Sequence, residues 1–219
     1  MVWRWQAVAM LKIHGHPKSI NVRKVLWLCA ELDLPYDRED WGGYGEFRSL
    51  DDPAFRAMNP AGLIPVIEDD GVVLSESNTI LRYLAAKAGR HDLLTAEPAG
   101  RARIEAWMDW QATNLNPSWQ VCYQALVRGK TDFGPDAVAA SVKRFNAGIG
   151  LIEAQLDKSG GYIAGKAFTL ADIPVGLSVH RWYAVPMGDA RPDYPLVAAY
   201  YDCLNERSGY RAHGRNGLP

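Results

Sequence analysis

Residues 64–85 read IPVIEDDGVVLSESNTILRYLA. Two apolar runs, Ile64 to Glu68 and Val72 to Ser75, flank Asp69-Asp70-Gly71, and apolar runs around an Asp-Gly turn predict a β-hairpin. From Ser77 to Lys87 the apolar positions shift to helical spacing. Between hairpin and helix lie a carboxylate, two hydroxyls and an amide (Glu76, Ser75, Ser77, Asn78), more polar groups than one helix cap needs.

Upstream, Leu11 to Gly15 alternates as a strand does. Val22, Val25, Leu26, Leu28, Cys29 and Leu32 recur at helical spacing between Ile20 and Leu32, an amphipathic helix. Tyr36 to Trp41 supplies a second strand, so this stretch predicts a βαβ unit with parallel pairing. Gly42 to Gly45 opens a polar loop, and Pro53 to Met58 forms a short helix. Joined to the hairpin and its helix, these elements predict a mixed four-stranded sheet with helices on its faces.

Downstream, Arg90 to Gly100 holds turn formers without a period, and no strand follows. Helices are expected over 101–128, 136–156, 170–183 and 196–207. The fold class is therefore α/β plus all-α: a sheet domain at 10–89, a linker at 90–99 and a helical domain at 100–219. In Phe168 to Asp172, Thr169 and Asp172 make a near capping box, with Phe168 as a staple against Ile173. That explains an otherwise apolar-bound carboxylate as folding chemistry.

The chain has 219 residues, 48% hydrophobic, with a formal net charge of −1. Such a balance argues against a nucleic-acid or anionic-membrane surface, and the apolar runs fall short of a membrane span. Residues 1–9 are expected to be a poorly ordered extension; their apolar part is too short for a secretion signal. Cys29, Cys122 and Cys203 are odd in number and far apart, which suits a reducing cytoplasm. Cys29 falls on the apolar stripe and is expected in the core. His14 and His16 share a strand face but lack a third ligand, so no metal site is expected.

Ser19 stands where the first strand meets the first helix. Ligands gather at such strand ends, and the helical N–H groups favour an anion there; the alternative is a plain N-cap. Asn21 points to the same space. Pro65 opens a sheet strand, where its missing N–H must be excused. A cis Ile64–Pro65 bond would do so, leaving the Ile64 backbone open to a ligand.

In order and spacing these segments resemble the glutathione transferase superfamily along nearly the whole chain, most of all bacterial members related to the theta, beta and nu classes. The resemblance implies a thioredoxin-like first domain and a second substrate pocket shaped by the helical domain. By the same resemblance Glu76 pairs with the ammonium of the γ-glutamyl group and Ser77 with its carboxylate. Ile64, before a cis-Pro65, meets the cysteinyl unit, and Ser19 donates to the thiolate. Asn21 is the alternative neighbour of the sulfur, as in nu-like members that reduce disulfides. Asn114, Trp119, Tyr123, Arg181 and Trp182 are candidates for the electrophile pocket. The implied activity is conjugation of glutathione, as cosubstrate, to small apolar electrophiles in a cytoplasmic homodimer. Disulfide reduction through Asn21 and a non-catalytic binding module are the alternatives. One departure is Leu63, where many relatives carry a basic residue; Lys18 or the loop at 42–45 would have to replace it.

Overall fold

The computed structural model describes residues 10–43 and 45–217; the expectation for residues 1–9 falls outside them. Strand β1 (Leu11–His14) runs parallel to β2 (Tyr36–Glu39), with Leu11 opposite Tyr36. Helix α1 (Ile20–Glu31) makes the crossover. Helix α2 (Pro53–Met58) follows, capped by the Asp52 carboxylate, which accepts from the Ala54 N–H. Strand β3 (Val66–Asp69) is antiparallel to β1 and to β4 (Val72–Ser75), which gives the sheet order β2-β1-β3-β4. The hairpin loop is Asp70-Gly71, with φ of 49° and 82°. Two positive φ values in a two-residue loop match the strand twist. Helix α3 (Ser77–Lys87) completes the unit.

The remaining described chain is helical: α4 (Pro98–Trp110), α5 (Asn116–Leu126), α6 (Pro135–Ser159), α7 (Asp172–Ala184), α8 (Pro195–Leu204) and α9 (Ser208–His213). A 3-10 turn spans Gly188–Ala190. The thioredoxin-like sheet unit followed by a helical unit agrees with the sequence reading.

Three details differ from it. The helix expected over 101–128 begins at Pro98 and is broken by a π-helical turn, Gln111–Leu115. Pro117, at the start of α5, has no N–H to give to the turn before it, and a widened turn absorbs that loss. The helix expected over 196–207 ends at Leu204, and a separate α9 begins at Ser208. Strand β2 stops at Glu39, while Trp41 forms only an isolated bridge with Arg48.

Helix α1 is buried almost all round, polar residues Arg23 and Lys24 included. Helices α3, α7 and α9 pack against it, and its apolar stripe lies in the same buried cluster as Leu11, Ile13 and Ile67 of the sheet. Trp27 is fully buried, with its ring 4.7 Å from Tyr210 and 5.8 Å from Phe168. An aromatic side chain of this kind buries about 150–250 Å², or about 4–6 kcal/mol as an upper figure at about 25 cal/mol per Å². Its indole N–H donates to Glu31 at 2.8 Å, and Arg207 gives the same carboxylate two bonds of 2.9 and 2.5 Å.

Asp172 is fully buried and accepts from the backbone N–H groups of Ile163 (2.9 Å) and Thr169 (2.8 Å), and from the hydroxyls of Tyr200 (3.0 Å) and Thr169 (3.2 Å). Half of the expected capping box is thus present. The Asp172 side chain reaches back to Thr169, but the Thr169 hydroxyl donates to it instead of capping the helix. Burial pushes the Asp172 carboxyl up to about 6, against the pull of these donors. Among the described residues no helix is long and apolar enough to cross a membrane.

Candidate functional site

A cleft of about 900 Å³ opens where the loop between β1 and α1 meets α5 and α7. Its floor follows from close packing. A Cβ at Gly15 would sit 2.6 Å from Val22 and 3.2 Å from Ile64, and φ there is +147°. Only glycine lets the strand end, α1 and the Ile64 segment converge so tightly. That segment is held by Asn59, whose amide donates to the Leu63 carbonyl (2.8 Å) and whose side-chain oxygen accepts from the Ala61 N–H (3.2 Å). The Ile64–Pro65 peptide is cis. Among the described residues the Ile64 backbone takes no hydrogen bond, so its N–H and C=O stay open beside the cleft that Ile64 lines.

Ser19 is the N-cap of α1 by backbone geometry, yet its side chain makes no capping bond. It lines the cleft at the helix N-terminus, with its hydroxyl uncommitted. Asn21 lines the cleft too, and its carbonyl oxygen accepts from the Ser77 hydroxyl at 3.5 Å. Ser77 is buried directly behind it. Glu76 precedes α3 with φ of 67°, a left-handed conformation that costs a non-glycine residue energy and recurs at functional sites. Glu76 is exposed, and its side chain makes no capping bond. The structure therefore brings Ser19, Asn21 and Ile64 to one cleft. Ser77 adjoins it through Asn21, whereas Glu76 and Pro65 lie beyond its lining.

Behind Ser77 sits a residue the sequence reading missed. The Lys24 ammonium is 1% exposed and donates to Gln111 Oε1 (3.1 Å), Ser77 Oγ (3.4 Å) and Asn78 Oδ1 (3.4 Å), all neutral oxygens. Burial, then the charge of Arg181, lowers it to about 7, with Glu76 pulling the other way. Gln111 also donates to Ser178 Oγ at 2.9 Å, which links the sheet unit to α7. A lysine within an amphipathic pattern reads as surface; nothing local reveals that a second unit will cover it.

The helical wall carries Trp119, Tyr123 and Arg181 of the expected pocket residues. The other two stand elsewhere. Asn114 is exposed on the π turn, taking a bond from Thr113, because the widened turn rotates it outward. Trp182 is 1% exposed in the core, donating to Asn146, because one residue on from Arg181 the helix has turned about 100°, away from the cleft. Leu63 is 60% exposed at the mouth. Lys18, also in the lining, is paired with Glu46 at 2.6 Å.

His14 donates to or accepts from Glu68 at 2.6 Å, while His16 stacks on Phe47 with centroids 4.8 Å apart, so the two histidines part company. Among the described residues no group of three or more His, Cys, Asp or Glu side chains is placed to hold a metal ion. Cys29 is in the core, where burial raises its thiol to about 12.

Comparison with known proteins identifies the family and the fold. The family described as "Glutathione S-transferase, N-terminal domain" matches residues 13–92, and "Glutathione S-transferase, C-terminal domain" matches residues 135–203. Glutathione S-transferase GstB of Escherichia coli is 36% identical, over 92% of this chain and 96% of that protein. Glutathione S-transferase 3 of Zea mays is 33% identical, over 93% of each. Among solved structures, the theta class glutathione S-transferase of Xanthomonas axonopodis pv. citri with glutathione bound has a TM-score of 0.88 at 32% identity, covering 95% of this chain and 99% of that one.

Proposed function

The chain belongs to the glutathione S-transferase superfamily, and on that premise we propose that it conjugates the glutathione thiolate to small, largely apolar electrophiles. Glutathione is cosubstrate, lying along the open backbone of Ile64. Its γ-glutamyl end reaches Ser77, where the α3 N-terminus favours a carboxylate, and Glu76 offers a carboxylate for the ammonium. The unit 10–89 binds glutathione, 90–99 links, and 100–219 shapes the electrophile side. The working form is a cytoplasmic homodimer, by analogy with the superfamily.

The observation that carries the reading is the Ser19 hydroxyl, at a helix N-terminus and facing the cleft, with no cap bond of its own. A free thiol ionises near about 8.5. Lowering that by about two units takes about 2.7 kcal/mol of preference for the thiolate. One hydrogen bond to a charged group supplies about 1.5–3 kcal/mol, so Ser19 with the helical N–H groups suffices. Asn21, by contrast, already holds Ser77.

The test compares Ser19→Ala with Asn21→Ala in chloronitrobenzene conjugation and in disulfide reduction. The reading expects conjugation to fall by about tenfold or more in Ser19→Ala. It fails if only Asn21→Ala is impaired and only disulfide reduction is detected.

A further inference from the structure

The helical wall of the cleft holds a cation that the reaction so far leaves unused. Arg181 is 4% exposed, and its guanidinium carbon lies 4.2 Å from the ring centroid of Trp119 and 4.2 Å from that of Tyr123. Its Nε, fully buried, has no hydrogen-bond partner; neither has the indole N–H of Trp119. All three residues line the cleft. The charges that act on Arg181 are Arg128 and Arg23, of like sign, and the Tyr123 phenol; burial is the larger influence and lowers it to about 10, which leaves it charged at neutral pH. Among the described residues lining the cleft Glu46 is the sole acid, and it is spent on Lys18. Buried charges are ordinarily paired, and buried donors ordinarily find acceptors. Here a guanidinium that bonds to the Tyr123 phenol but leaves its Nε without an acceptor, and an unpartnered indole N–H, share one wall, and among the described residues no carboxylate forms an ion pair with Arg181.

We propose that the electrophile bears a carboxylate or like anion, received by Arg181 and Trp119, with its apolar body against the Trp119 and Tyr123 rings. This deepens the transferase reading and rests on it. The ring stack holds the planar guanidinium in place without neutralising it, leaving its hydrogen-bonding edge for a carboxylate. The thiolate then bonds to the carbon carrying the leaving group. That group departs with the bonding pair, and the thiol proton passes to solvent.

The assay pairs chloronitrobenzoate with the matching chloronitrobenzamide, each rate divided by the uncatalysed rate with glutathione. The wild type is expected to prefer the benzoate by about tenfold or more in kcat/KM, a preference lost in Arg181→Met while KM for glutathione moves less than about twofold. Equal turnover of the two, an unchanged preference in Arg181→Met, or a loss of glutathione affinity instead would overturn the inference and leave the transferase reading standing. Absence of glutathione binding and of all conjugation would bring down both. Should Arg181→Met not fold, the wild type decides alone. Nitrobenzoate should inhibit conjugation of the amide competitively with the amide, at concentrations where nitrobenzamide does not. Equal inhibition by the two, or competition with glutathione, refutes it.

Discussion

Replacing Lys24 by methionine should change how stability depends on pH. The unfolded lysine keeps its proton to about 10.5, whereas the folded one, buried among neutral oxygens, holds it only to about 7. Its folded pKa is depressed, so burying the cation costs stability in full below pH 7. The cost is relieved as pH rises from there, because the unfolded chain then binds the extra proton. Between pH 7 and 9 this amounts to about 2 kcal/mol of added stability, at about 1.4 kcal/mol per pKa unit. Lys24→Met has no such group and should lack that gain. Arg181 and Glu76, the charges that act on Lys24, are the same in both proteins. Cys29, raised to about 12, gives stability that fades above pH 9, and it too is common to both. Urea unfolding followed by tryptophan fluorescence at the two pH values measures the difference directly. If wild type and variant change in parallel, within about 0.5 kcal/mol, Lys24 is charged in the fold and the reasoning is wrong.

Asp172→Ala should cost about 3–6 kcal/mol in denaturant unfolding, because it strands the N–H groups of Ile163 and Thr169 and the Tyr200 hydroxyl in the interior. Gly209→Ala places a Cβ 2.7 Å from Trp27 and 3.2 Å from Ala30; a loss of about 1–3 kcal/mol is expected by calorimetry, and an unchanged melting point would show that α9 can move away freely. Ser19→Ala should leave stability within about 0.5 kcal/mol, since no cap bond is removed. A drop of about 1 kcal/mol or more would mark Ser19 as an ordinary cap.

The sheet unit was legible because its signals are local. The Asp-Gly turn fixes the hairpin and the stripe from Val22 to Cys29 fixes α1, whereas the cis Ile64–Pro65 bond, only suggested by Pro65 at a strand start, rested on the resemblance. The helical half was legible only as helices. Where they break depends on single residues, such as Pro117 beside the π turn, that sequence pattern weighs lightly. The site is less legible. Ser19 and Asn21 stand at a strand–helix junction where ligands gather, but Ser19 reads there equally as a cap, and the roles given to both and to Ile64 came from the resemblance. Trp119, Tyr123 and Arg181 depended on the resemblance, which served equally for Asn114 and Trp182, one turned to solvent and the other to the core. Lys24 and Gln111 carried no signal, because their meaning arises only when the two units close on each other.

The double cover on α1 makes the two halves unequal partners in folding. A fragment ending near Gly89 would keep every strand among the described residues and yet present Trp27, along with Arg23 and the Lys24 amine, to water on a helix evolved for an interior. Such a fragment should be sticky and poorly behaved, and swapping helical halves between relatives would demand recutting α1 each time. The catalytic unit, in that sense, is tailored to the scaffold that encloses it.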